Sequence, residues 1–305
     1  KMTMVPEIVD MEMPVEGVFH NLVIVKIHKE YAGQGQKVMN AMWGAGQMMF
    51  NKILALTSSA VNEKDGGDYF PLSDYTKLAR DIFRNIYVSQ GPMDVLDHSC
   101  SKLGFGGKMC IDGTGKFEEE IAENASGAYS AAGFDKARIA KEFAEIRFIN
   151  DDLLKKDIPC LVVSVKKNRA GHIRELHHQL CERREMEGLK MILYVEHTVD
   201  ANDLPVALWR FCNNLDPKRD SILAQRPSLA DDKKIFSCMG FDGALKTKAY
   251  DDFQRDWPNI IVADDATIAS VDQKWDGLGI GPFIPSPSLK YKDQIYGEEA
   301  IADRI

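Results

Sequence analysis

Apolar residues along this chain fall into two blocks with the same internal plan. In the first, LVIVKI, Leu22–Ile27, is a β-branched run that predicts a buried strand. After EYAGQG, Val38, Met42, Ala45 and Met49 recur at the spacing of a helix with one apolar face. KILAL, Lys52–Leu56, predicts a second buried strand. Strand, helix and strand in this order make a βαβ unit. The crossover helix returns the chain to the same end of the sheet, so the two strands run parallel.

The second block repeats the first. CLVVSV, Cys160–Val165, reads as a strand; HIRELHHQLCERREM reads as a helix with Ile173, Leu176 and Leu180 on one face; MILYV, Met191–Val195, reads as a strand. A shift of 138 positions superimposes the blocks without gaps, placing Ala32-Gly33 on Ala170-Gly171, Met48 on Met186, Lys52 on Lys190 and Val61 on Val199. A shift of 130 then places Met109, Asp112, Gly113 and Lys116 on Met239, Asp242, Gly243 and Lys246. Shared apolar spacing is expected of any two βαβ units. Shared glycines and charges point to an internal duplication.

The expected fold is therefore α/β: three layers, a mainly parallel sheet with helices on both faces, built from two related βαβ halves. Residues 1–20, with two prolines and no sustained period, read as a linker or arm. The first repeat spans 21–117, a helical connection 118–157 and the second repeat 158–250. Within the connection, Asp135 is positioned to cap a helix over KARIAKEFAEI. The remaining 251–305 is read as a closing strand in NIIVAD, a helix from about Thr267 to Trp275, and an extended arm, GLGIGPFIPSPSL.

Composition narrows the function classes. The chain is 45% hydrophobic and 28% charged, ordinary for a globular protein with a full core. A net charge of −8 argues against nucleic-acid binding, which needs a basic face. No apolar run approaches the roughly 20 residues of a membrane span, which leaves only peripheral association open. No basic-then-apolar segment opens the chain, and its first residue is Lys1, so it reads as a processed or excised piece. Six scattered cysteines, none in a Cys-x-x-Cys pair, read as free and buried in a reducing, cytoplasmic setting.

Most chemical signatures are missing: GxxxxGK[ST], GxGxxG, GxSxG and HExxH are all absent. His172, His177 and His178 share one predicted helix but not a ligand spacing, and solvated histidines are the expected reading. The glycine-rich stretch Gly91–Lys116 carries Asp94, Asp97, His98, Lys108 and Asp112. Asp97-His98 could form an acid/base pair. Turn and cap chemistry explains the same residues, and because Asp242-Gly243 repeats Asp112-Gly113, the structural reading is preferred. Lys52 and Lys190 precede strands, where a lysine can neutralise helix C-terminal carbonyls or reach an anion.

Together, MPVEGVFHNLVIVKI, the helix and strand AGQGQKVMNAMWGAGQMMFNKI, GPMDVLDHS and GFGGKMCIDGTGK resemble the C-terminal portion of the UbiD family of decarboxylases. The resemblance implies a carboxy-lyase acting on a polyprenyl-hydroxybenzoate or related aromatic acid in quinone biosynthesis. It implies prenylated FMN with a divalent metal (Mn or Mg) and potassium in the intact enzyme, and none bound to this chain alone. It implies upstream flavin-binding domains as partners, homo-oligomers, and catalytic residues and metal ligands outside this chain. The family's acidic cluster, Trp and DPxRD are missing from the first half and present in the second as Glu196, Asp200, Trp209, Asp216, Arg219 and Asp220. Gly91–Lys116 is then expected to pack on the absent domains or a sister subunit. Lys52 is expected to be solvent-accessible, its amine pointing off the sheet edge toward the flavin phosphate. The rivals are a non-catalytic assembly domain and a free-standing α/β enzyme using Asp97 and His98.

Overall fold

A computed structural model describes residues 5–14, 21–44, 52–58, 85–120, 134–186, 188–227, 234–295 and 301–302. The first half contains strand β1 (Ile8–Glu12), β2 (Leu22–Ile27), helix α1 (Gln34–Gly44), β3 (Ile53–Ser58), β4 (Ile86–Pro92) and β5 (Phe105–Asp112). The second contains α2 (Lys136–Glu142), β6 (Ile146–Asn150), β7 (Cys160–Val165), α3 (His172–Cys181) and β8 (Met191–Glu196). It continues through α4 (Leu204–Asn214), α5 (Pro217–Asp220), β9 (Ser221–Pro227), β10 (Lys234–Asp242) and α6 (Lys248–Asp251).

The α/β class and the two similar halves are as expected, but each half builds its own sheet. The orders are β1-β2-β3-β5-β4 and β6-β7-β8-β10-β9, the same topology twice. Strand pairing repeats residue by residue: Leu22 faces Ile53, and 138 positions on Cys160 faces Met191. Even the irregularity recurs, between Ile8 and Asp10 in β1 and between Ile146 and Phe148 in β6. Gly33 and Gly171, also 138 apart, both turn into the following helix with left-handed φ of 79° and 70°.

Each sheet is mixed: three central strands run parallel, and both edge strands are antiparallel. These edge strands correct the sequence reading. β1 lies in the segment read as an arm, and β6 lies in the stretch read as a helical connection. Both are short and only partly buried, so they lack the apolar run that marks a central strand. Pro6 and Pro14 flank β1, where a missing N–H breaks no ladder bond. The helix capped by Asp135 forms as expected, with Oδ1 accepting from Ala137 N and Arg138 N, but it ends at Glu142. Of the expected α1 positions, Ala45 and Met49 lie outside the described residues, as do Met48 and Val61.

Packing follows strand alternation. In the first half, Val38 and Met39 of α1 cover Val23, Val25, Ile27, Leu54, Leu56 and Cys110. In the second, Ile173, Leu176 and Leu180 of α3 cover Val163, Val165, Ile192 and Tyr194. On the opposite face Phe211 of α4 meets Phe241 edge-on, ring centres 6.4 Å apart. The histidines of α3 depart from expectation. His178 is exposed, whereas His172 and His177 are buried. None of the six cysteines is in a disulfide, and all six are buried. No helix among the described residues is long and apolar enough to cross a membrane.

Residues 256–305 form a separate compact unit. Its strand β11 is only Val262–Ala263, paired in parallel with β12 (Ile301–Ala302), and its helix α7 runs from Asp265 to Leu278. The segment read as an extended arm folds back locally. Phe283 packs edge-on against Trp275 at 5.7 Å, and Ser288, which opens α8 (Ser288–Tyr291), accepts a bond from Ala263 N at 2.9 Å.

Candidate functional site at the seam between the halves

The loop between β4 and β5 is a rigid surface, fixed first by its own aspartates. Asp94 accepts from Leu96 N at 2.9 Å. Asp97 Oδ1 accepts from Ser99 N at 2.9 Å and lies 2.6 Å from Ser99 Oγ. These are the local side-chain-to-backbone turns that Asp favours.

This surface docks on the second half of the same chain. Lys52, the residue before β3, reaches Asp97 Oδ2 at 3.1 Å, Ser99 Oγ at 3.0 Å and the carbonyl of Asn213 at 3.1 Å. Asn213 lies in the last turn of α4, so the ammonium neutralises helix C-terminal carbonyls from across the seam. The expectation that Lys52 is accessible is therefore corrected: it is 0% exposed and its three donors face three acceptors. A buried ammonium needs such partners, and Lys52 finds them inside the seam. Its counterpart Lys190 is half-buried, and burial lowers its pKa.

The turn DPKRD meets the loop from the other side. Asp216 caps α5 by accepting from Lys218 N and Arg219 N, and the same Oδ1 accepts from Gly107 N of the first half at 3.1 Å. A Cβ on Gly107 would lie 2.2 Å from that oxygen and 2.3 Å from Lys218 N, so only glycine fits. Arg219 holds Asp220 through two bonds of 2.7 and 2.8 Å and donates to the Ser99 carbonyl at 2.7 Å. Arg255 donates to the carbonyls of Asp97 and Cys100.

His98 points elsewhere. Its Nε2 lies 3.2 Å from Asn214 Oδ1, whose amide donates to Glu196 Oε2 at 3.3 Å; Glu196 in turn pairs with Arg210. Burial pushes the His98 pKa down to about 4, outweighing the Asn214 contact, so the ring is neutral near pH 7. Burial would raise the Asp97 pKa, but Lys52 and Ser99 hold it below the usual value. Asp97 thus faces Lys52 and Ser99, and His98 faces Asn214.

Of the second-half residues singled out, Glu196, Asp216, Arg219 and Asp220 converge here. Asp200 instead closes an exposed turn by accepting from Asn202 N, and Trp209 contributes its carbonyl to Asn213 Nδ2. Asp112 accepts from Thr114 N and pairs with Lys116 at 2.8 Å; Asp242 and Lys246 repeat the pair at 3.1 Å, as a structural turn would. Lys108 is buried, its amine without a hydrogen-bond partner among the described residues, and burial lowers its pKa. Asn213, Asn214, Gly107, Arg210 and Arg255 were not anticipated. The adjacent Gly106-Gly107 at a strand start was a readable sign of close backbone approach.

Known proteins place this architecture. The family described as 3-octaprenyl-4-hydroxybenzoate carboxy-lyase C-terminal domain matches residues 1–113 and 156–237, one stretch on each half. Uncharacterized proteins from two strains of Helicobacter pylori are 31% and 30% identical over 266 and 263 residues, covering 84% and 83% of this chain. The chain spans 38% of the length of each of these curated relatives. An uncharacterized protein of Archaeoglobus fulgidus is 42% identical over 116 residues, 38% of this chain and 24% of that protein. Among solved structures, Sedimentibacter hydroxybenzoicus vanillic acid decarboxylase in open form aligns at 15% identity and TM-score 0.36, over 47% of this chain and 31% of that one. The UbiD-class enzyme HmfF from Pelotomaculum thermopropionicum in complex with FMN aligns at 18% identity and TM-score 0.30, over 46% and 30%. By the match across both halves, this chain belongs to the UbiD family, as a C-terminal portion in which the domain plan occurs twice.

Proposed function

We propose that this chain is the architectural C-terminal part of a prenylated-FMN-dependent aromatic acid decarboxylase, serving packing and oligomerisation while catalysis lies elsewhere in a longer protein. The observation that carries this reading is the self-sufficient seam. The loop carrying Asp97, His98 and Ser99 meets the turn carrying Asp216, Arg219 and Asp220 within one chain, and their charges satisfy one another. A polyprenyl-hydroxybenzoate-like substrate, Mn or Mg, potassium, a homo-oligomeric assembly, a cytoplasmic setting and any peripheral membrane contact belong to the whole protein under this reading.

The cofactor does not fit the residues of the seam. A phosphate site combines a cation with several free backbone N–H groups. Lys52 already faces a carboxylate, a hydroxyl and a carbonyl, which speaks for the structural role and against a flavin contact. The rival enzyme using Asp97 and His98 is disfavoured by the burial of His98 against Asn214 and by its pKa far below neutrality. The test is carbon dioxide release by the chain supplied with prenylated FMN, Mn²⁺, K⁺ and a panel of hydroxybenzoates. No release above buffer is expected, and turnover abolished by His98→Asn would favour the rival.

A further inference from the structure

In the second half, three metal-binding side chains meet in the core between α3 and β10. His177 and Cys181 lie one helical turn apart on α3, and Cys238 lies on β10. All three are buried, with exposures of 0%, 3% and 4%, and their donor atoms lie within 4.8 Å of one another. We propose that His177, Cys181 and Cys238 form a metal site for Zn²⁺ or an ion of its class, tying α3 to β10.

One edge of the group has the length this ion sets. Zinc–sulfur bonds of about 2.3 Å and zinc–nitrogen bonds of about 2.0 Å at a tetrahedral centre place S and N roughly 3.5 Å apart. His177 Nε2 lies 3.5 Å from Cys181 Sγ. It also lies 3.4 Å from the carbonyl oxygen of Cys238, a further oxygen beside the three side chains. The β10 ladder shifts register between Phe236 and Cys238, beside this carbonyl. On the far side of the ring, Nδ1 is 2.9 Å from Tyr194 Oη. With Nε2 on the metal, Nδ1–H donates to Tyr194, the outer contact that fixes a ligating imidazole.

Charge selects the ion. Binding releases one proton from each thiol and leaves the imidazole neutral, so two thiolates and a divalent cation sum to zero. A neutral centre is what a buried apolar site can hold. A monovalent ion would leave a net negative charge there.

The first half supplies an internal control. The positions equivalent to His177, Cys181, Tyr194 and Gly240 are Met39, Trp43, Leu56 and Cys110, members of the apolar cluster of the first half, and the position equivalent to Cys238 is the buried Lys108. The fold therefore does not need imidazole and thiols at this place. Gly240 also makes room for the histidine, since a Cβ there would lie 2.6 Å from His177 Nδ1.

The test uses the full chain, reduced, stripped by chelator and then titrated with Zn²⁺ and, separately, Co²⁺. The expected result is one equivalent of zinc, two protons released per ion at a pH below the thiol pKa values, and a Co²⁺ complex with thiolate charge-transfer absorption. Cys181→Ser and Cys238→Ser are each expected to abolish stoichiometric binding. Tyr194→Phe is expected to weaken it about 10- to 100-fold while retaining the thiolate bands. Absence of zinc uptake by the reduced wild-type chain would overturn the proposal, whatever the variants do. So would uptake that both cysteine variants preserve.

Discussion

Lys52 and Asp97, 45 positions apart, form a buried ion pair of 3.1 Å that also holds the end of a helix from the other half of the chain. Removing one partner leaves the other charged and dry. Lys52→Met is expected to cost about 3–5 kcal/mol in urea unfolding, and Lys52→Met with Asp97→Asn to recover part of that. A loss under about 1 kcal/mol, the range of an exposed pair, would put the amine in water and revive the phosphate reading.

His98 makes stability depend on pH with a definite sign. Its folded pKa, about 4, lies below the ordinary 6.5, so between these values the unfolded chain binds the extra proton. Stability present above pH 6.5 is lost as pH falls toward 4, by on the order of 3 kcal/mol at 1.36 kcal/mol per pKa unit. Asp97, held low by Lys52 and Ser99 against its burial, acts in the same direction. Comparison with His98→Asn therefore isolates the histidine. The variant should show a shallower fall in unfolding free energy over this window, and an unchanged slope would refute the buried neutral ring.

Two N-caps should differ in cost. Asp135 is an exposed cap, and Asp135→Ala is expected to cost about 1 kcal/mol. Asp216 caps α5 and also accepts the buried N–H of Gly107, so Asp216→Ala adds an unsatisfied donor worth roughly 1–3 kcal/mol. Thermal unfolding of the two variants should rank them in that order. Equal shifts would mean that the bond across the seam contributes nothing.

What the sequence determined by itself is local and periodic. The central strands, the crossover helices and the cap at Asp135 follow from spacing and side-chain chemistry over a few residues. The duplication was legible because a constant 138-residue shift carries glycines and charges as well as apolar positions. The family was legible from motifs in order. Only tertiary structure decided that there are two sheets, because edge strands such as Ile8–Glu12 are half-exposed and leave a weak pattern. It also decided the fate of Lys52. A lysine before a strand can face water or a carbonyl, and the carbonyl that it meets belongs to Asn213, 161 positions away. His177 looked solvated because its partner on the helix is a cysteine rather than a second histidine, and the third member, Cys238, is 61 positions distant. Contacts over such separations are set by how two packed halves meet, which no short window of sequence records.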